Sequence, residues 1–96
     1  MDALLARLRA NPSDYDALLS MARGWVQLGD LNAARGAYDE LIRVGASVNE
    51  VIDDLERFTE DHPDDVEYIR LMGDAHMKAG NLQKALKLYR QALKKL

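Results

Sequence analysis

Apolar residues recur along this chain every three or four positions, and each run is closed by a turn signal, which predicts helices throughout. Residues 2 to 10 carry Leu4, Leu5 and Leu8 at helical spacing and read as the tail of a helix. Asn11-Pro12-Ser13-Asp14 predicts a fresh start, with Asn11 as N-cap and Pro12 in the first helical position, where its missing N–H costs nothing. From there to about Leu28, Leu18, Met21, Ala22 and Trp25 form one buried stripe. Gly29 stops this helix and Asp30 caps the next, about 31 to 44, whose inner face is Leu31, Ala34, Tyr38, Leu41 and Ile42. Gly36 inside it costs roughly 1 kcal/mol relative to Ala, and is read either as close packing or as simple tolerance. After Gly45-Ala46-Ser47, a helix over about 48 to 61 sets Val48, Val51, Ile52, Leu55 and Phe58 on one side and nearly all its acids on the other. His62-Pro63-Asp64-Asp65 repeats the earlier start signal, with His62 as the cap, and leads into a helix carrying Ile69, Met72, Gly73 and His76. The last helix, about 82 to 96, carries Leu82, Ala85, Leu86, Tyr89, Ala92, Leu93 and Leu96. Connections this short make successive helices antiparallel.

The chain also repeats itself. Gly80-Asn81-Leu82-Gln83-Lys84-Ala85-Leu86-Lys87-Leu88-Tyr89 is a second copy of Gly29-Asp30-Leu31-Asn32-Ala33-Ala34-Arg35-Gly36-Ala37-Tyr38, with the Gly turn and the Ala-x3-Tyr pair at matching offsets. Leu18-x2-Met21-Ala22-x2-Trp25 followed by Ala34-x3-Tyr38, and Ile69-x2-Met72-Gly73-x2-His76 followed by Ala85-x3-Tyr89, resemble the tetratricopeptide repeat, whose pattern is W-x2-L-G-x2-Y, then A-x3-F, then P. Ala46 stands for the final Pro in the first unit, while Pro12 and Pro63 stand where a preceding unit's Pro belongs.

The resemblance implies an all-α chain, an α-α superhelix built as a solenoid of antiparallel helix pairs. It implies one domain over 1–96: a partial helix (1–11), a first repeat (12–46), an unpaired acidic helix (47–62) and a second repeat (63–96). In such repeats the small residue at Ala22 or Gly73 lets the paired helices approach, and Tyr38 and Tyr89 fill space toward a neighbouring unit. The resemblance further implies a module that binds a peptide or partner helix on a concave face lined by first-helix residues. Carried onto this sequence, that face is Asp16, Leu19, Arg23, Val26 and Gln27, then Glu67, Arg70, Asp74, Met77 and Lys78. Arg23 and Arg70 are the candidate carboxylate anchors, since a guanidinium offers a two-pronged donor. The Lys and Asn pattern with which some members clamp chaperone tails is missing. One departure stands out: the two Gly turns lie 51 residues apart, one period and about half of another. The acidic helix therefore either takes the place of a first-type helix or has its mate in another chain.

Composition narrows the function. The net charge of −3 argues against nucleic acid as the main partner. The charge is nonetheless polarised, with nine acids against Arg57 alone between Asn49 and Glu67, and six bases with no acid from Ala75 to Leu96. Such faces are commonly solvated and matched to helix dipoles. With no Cys and no long apolar run, neither a disulfide framework, an export signal nor a membrane span is indicated, and the setting expected is cytoplasmic. His62 among Asp61, Asp64 and Asp65 is explained by capping and turn chemistry better than by a metal, and His76 occupies a buried aromatic position of the repeat. No phosphate-cradling loop or nucleophile elbow is present, so the expectation is no enzyme, no metal and no cofactor. The last helix is apolar on two sides, which makes Leu86, Tyr89, Leu93 and Leu96 candidates for self-association in a homodimer. The alternative is a fragment or scaffold of a longer array with no partner beyond copies of itself.

Overall fold

A computed structural model of the protein describes residues 2–96. Six helices follow in order: α1 (Asp2–Ala10), α2 (Tyr15–Leu28), α3 (Leu31–Val44), α4 (Val48–Asp61), α5 (Val66–Lys78) and α6 (Leu82–Lys94). The chain is all-α, as the periodicity predicts, and it divides into two compact units, one reaching to Ser47 and the other running from Val48 to Leu96. In the first, α1 and α3 both pack on α2; in the second, α4 and α6 both pack on α5. Each unit is thus a hairpin with a further helix laid on its first member.

This arrangement accounts for the long spacing. Pro12 and Pro63, Gly29 and Gly80, and Tyr38 and Tyr89 all stand 51 residues apart, and that interval covers three helices. The acidic α4 stands in the later unit as α1 does in the first, each laid on the first helix of its hairpin. It packs on α5, where the Phe58 ring stacks on Tyr68, and its Val51, Ile52, Leu55 and Phe58 are all buried. The first unit's core is Ala17, Leu19, Met21 and Ala22 of α2 against Ala34, Ala37, Tyr38, Leu41 and Ile42 of α3. Leu18 and Trp25, expected on the buried stripe, are only half-buried.

The helix starts also differ from expectation. Asn11 and His62 are not the N-caps. Asn11 opens a turn in which Pro12 takes the second position and the Asp14 N–H donates to the Asn11 carbonyl at 3.0 Å; Asp65 does the same to His62 at 3.2 Å. Pro is pre-set for that turn position. The caps are then Asp14 and Asp65, whose side chains accept from the N–H groups of Ala17 (3.1 Å) and Tyr68 (3.2 Å). Arg7 also donates to the Asp14 carboxylate. The Ala17 N–H bond and then Arg7 hold that carboxyl below its ordinary value.

The duplicated Gly turn is confirmed. Gly29 and Gly80 both adopt left-handed backbone, with φ of 81° and 86°, and the following residue donates back into the helix, Asp30 to Trp25 and Asn81 to His76. A side chain at either φ clashes with its own backbone, which is why Gly ends these helices. The copies diverge one residue later. Asp30 caps α3 by accepting from the Ala33 N–H at 3.2 Å, whereas Asn81 makes no such bond and turns its amide toward His76 Nδ1 at 3.2 Å. Gly36 is exposed, and a Cβ there meets nothing within 4 Å, so it reflects tolerance and not close packing.

Candidate protein-binding surface

The α5–α6 hairpin is held together at one point more tightly than the repeat pattern requires. A Cβ on Gly73 falls 2.7 Å from Tyr89 Cε1, so the Tyr89 ring lies directly on the α5 backbone. Its hydroxyl donates to Asp74 Oδ1. Burial, and then the Asp74 carboxylate, push the phenol up to about 12, which keeps it protonated as a donor at neutral pH. Tyr89 therefore fills space inside its own hairpin, a correction to the expectation that it reaches toward a neighbouring unit.

Around this contact the last helix sorts its apolar residues into two rows. Ala85, Leu88 and Ala92 are buried, while Leu82 (55%), Leu86 (48%), Leu93 (67%) and Leu96 (89%) are exposed. The two apolar sides are as the sequence reads them, except that Leu88, which it overlooks, joins Ala85 and Ala92 at three- and four-residue steps in the buried row. Leu82, Leu86 and Leu93 lie on the side of α6 that adjoins Tyr89, about one or two turns from it, and Leu96 follows beyond the end of the helix. On α5, Met77 (41% exposed) follows Gly73 by one turn, so it continues the same surface toward the Leu82 end of the hairpin. The result is an apolar strip across both helices, floored by the Tyr89 ring.

The other candidate residues are placed as follows. Arg70 is exposed and donates to Glu67 Oε2 at 2.8 Å, and Asp74 is half-buried beneath the Tyr89 hydroxyl. In the first unit Arg23 and Gln27 are exposed and Val26 is half-buried. Leu19 is buried at 8% exposure, not on the outward side where the repeat pattern sets it. With α1 and α3 both packed on α2, more than one side of that helix is covered.

A second cluster joins all three helices of the later unit. His76 of α5 is 3% exposed; its Nε2 has no hydrogen-bond partner and lies 4.0 Å from Glu56 Oε1 of α4. Lys84 of α6 reaches the same Glu56 oxygen at 3.9 Å. Burial first, and then the Lys84 charge, lower the His76 pKa from its ordinary 6.5, opposed by Glu56. A lowered value means the unfolded chain binds the proton more readily, so His76 contributes stability that is intact above about pH 6.5 and is lost as pH falls through the folded value. Denaturation midpoints measured between pH 7.5 and about 5 are expected to fall in the wild type. His76→Phe is expected to remove that part of the slope; an identical slope in the variant rejects the assignment. The Asp14 contribution disappears only at lower pH, below its ordinary 3.8, and does not overlap this window.

No described helix is long and apolar enough to cross a membrane. Residues 66–96, which comprise α5, the Gly80 turn and α6, match the family model described as tetratricopeptide repeat. No curated protein matches the chain.

Proposed function

We propose that this chain, a tetratricopeptide-like helical repeat protein, is a non-catalytic module for protein–protein interaction in a cytoplasmic setting, and that the outer side of its α5–α6 hairpin is a binding surface. The observation that carries the proposal is the strip of Leu82, Leu86, Leu93 and Leu96 beside Met77. An α6 buried on one row needs no second row of leucines for folding, and a contiguous apolar strip on a soluble surface is a mark of contact with another protein. The first-helix positions Arg23 and Gln27 in one unit, and Arg70 and Asp74 in the other, supply the polar contacts that the repeat pattern assigns to peptide recognition, with Val26 as an apolar contact between Arg23 and Gln27. Leu19 supports them from within the unit.

A peptide-array screen tests this. Binding that disappears with Leu86→Ser and Leu93→Ser marks the α6 strip, whereas binding that disappears with Arg23→Ala and Arg70→Ala marks the first-helix side. Hits indifferent to all four substitutions reject the module reading. The same leucines favour a second reading, a homodimer through the Leu86, Tyr89, Leu93 and Leu96 side of α6. Light scattering at rising concentration checks it: a mass that stays monomeric removes it.

A further inference from the structure

The charges beside the leucine strip say what kind of partner it takes. Lys87, Arg90 and Lys94 follow one another at steps of three and four, so they form a row along α6 next to the row of Leu82, Leu86 and Leu93. Other cations of this helix are engaged: Lys84 lies near Glu56, and Lys95 donates to Asp64 at 2.9 Å. Among the described residues, Lys87, Arg90 and Lys94 have no ion-pair partner. From Ala75 to Leu96 the chain contains no acid that could neutralise them. On the α5 side of the strip Arg70 is paired with Glu67, and Asp74, a carboxylate, accepts from the Tyr89 hydroxyl, so no row of unpaired cations faces the strip from there. The strip therefore has one flank that is locally satisfied and one that is uniformly positive.

We infer that the α5–α6 surface takes an amphipathic helix from another protein, with leucine-like residues along one stripe and carboxylates along one flank. The inference rests on the reading of this surface as a binding site and adds the partner's chemistry. An apolar stripe on the partner covers Leu82, Leu86, Leu93 and Met77, and its acids stand opposite Lys87, Arg90 and Lys94. The charge complementarity selects the partner and its register, while apolar burial supplies most of the affinity. A second copy of this chain is the poorer occupant. Two α6 faces paired antiparallel about a twofold axis put both rows of Lys87, Arg90 and Lys94 on the same side of the seam, where like charges repel, and a parallel pairing gives neither row a carboxylate of α6 to face.

The test uses the full chain and two fluorescein-labelled helical peptides of designed sequence. Both carry Leu at i, i+4, i+7 and i+11; one has Glu along a flank, and the other has Lys at the same positions. Fluorescence anisotropy in low salt is expected to show the Glu peptide binding at least about tenfold more tightly than the Lys peptide, with the preference shrinking as NaCl is raised to about 0.5 M. Lys87→Glu, Arg90→Glu and Lys94→Glu together are expected to invert the preference, and the milder triple change to Gln to abolish it; all six substitutions fall on exposed positions, and circular dichroism checks that the helices persist. Equal binding of both peptides, lost with Leu86→Ser and Leu93→Ser, overturns the charge inference and leaves the binding surface standing. Binding of neither peptide, or binding indifferent to the leucine changes, overturns the surface itself. A concentration-dependent dimer that excludes both peptides assigns the strip to a second copy and overturns the inference.

Discussion

Phe58→Ala is expected to lower the stability of the later unit by about 3–5 kcal/mol, a large share of what a domain of this size possesses. Phe58 is 8% exposed near the end of α4. Its ring stacks on Tyr68 of α5, with centroids 4.0 Å apart, and on His62 at 4.2 Å. Truncation removes both ring contacts and leaves a hole that the neighbours fill only in part, because Tyr68 is itself among the largest fully buried side chains and is fixed from several sides. The His62 ring also loses a partner at the point where its Nδ1 lies 3.2 Å from the Phe58 carbonyl. Urea unfolding followed by helical circular dichroism is the measurement. The expected signature is a lower midpoint with an unchanged slope, because the surface exposed on unfolding is nearly the same. A loss below about 1 kcal/mol rejects the packing of α4 on α5, since an acidic helix held only by its solvated face tolerates the change as any surface substitution does.

That packing is the part of the fold the sequence left open. Periodicity, the Gly29 and Gly80 stops and the Ala-x3-Tyr pairs are local signals, and each depends on backbone geometry within a few residues, so the helices and the hairpins were legible in advance. The side of a helix that a neighbour covers is not local. Leu19 and Leu86 are both leucines on helices of repeat hairpins, yet one is 8% exposed and the other 48%, because α2 is packed by two helices while α6 is packed by α5. A helical wheel predicts one buried arc and assigns everything else to solvent. It cannot tell an arc covered twice from an arc covered once. The proposed binding surface was legible to the same extent: two apolar sides of the last helix were visible, but not which of them is buried, since that depends on Tyr89 being drawn across onto Gly73. The Asn11 and His62 caps failed for a different reason. A Pro after Asn satisfies both a helix start and a tight turn, and the Asp two residues beyond the Pro decides for the turn by being the better-placed cap.

Gly73 is where the second large effect is expected, and its sign depends on one neighbour. In an open helix position, Gly→Ala stabilises by about 1 kcal/mol through reduced backbone entropy. At Gly73 the added Cβ meets Tyr89 Cε1 at 2.7 Å, Cδ1 at 2.9 Å and Cζ at 3.2 Å. The ring cannot simply swing aside, because its hydroxyl is held by Asp74. Overpacking of this kind costs about 1–3 kcal/mol, so Gly73→Ala is expected to destabilise by about 1 kcal/mol net, and Gly73→Leu by about 3 kcal/mol or more. Removing the ring reverses the sign. In a Tyr89→Ala background the space is open, and Gly73→Ala is expected to stabilise by about 1 kcal/mol, which gives a coupling of about 2 kcal/mol in a double-mutant cycle. Additive effects reject the contact. The first unit supplies the internal comparison, for Ala22 occupies the matching position with Tyr38 at the matching offset and carries a Cβ while fully buried. Ala22→Gly is expected only to lose about 1 kcal/mol from the helix, with no gain from relieved crowding. The two hairpins therefore differ in how closely their helices meet at this step, and the closer one is the one that holds the aromatic floor of the proposed binding strip.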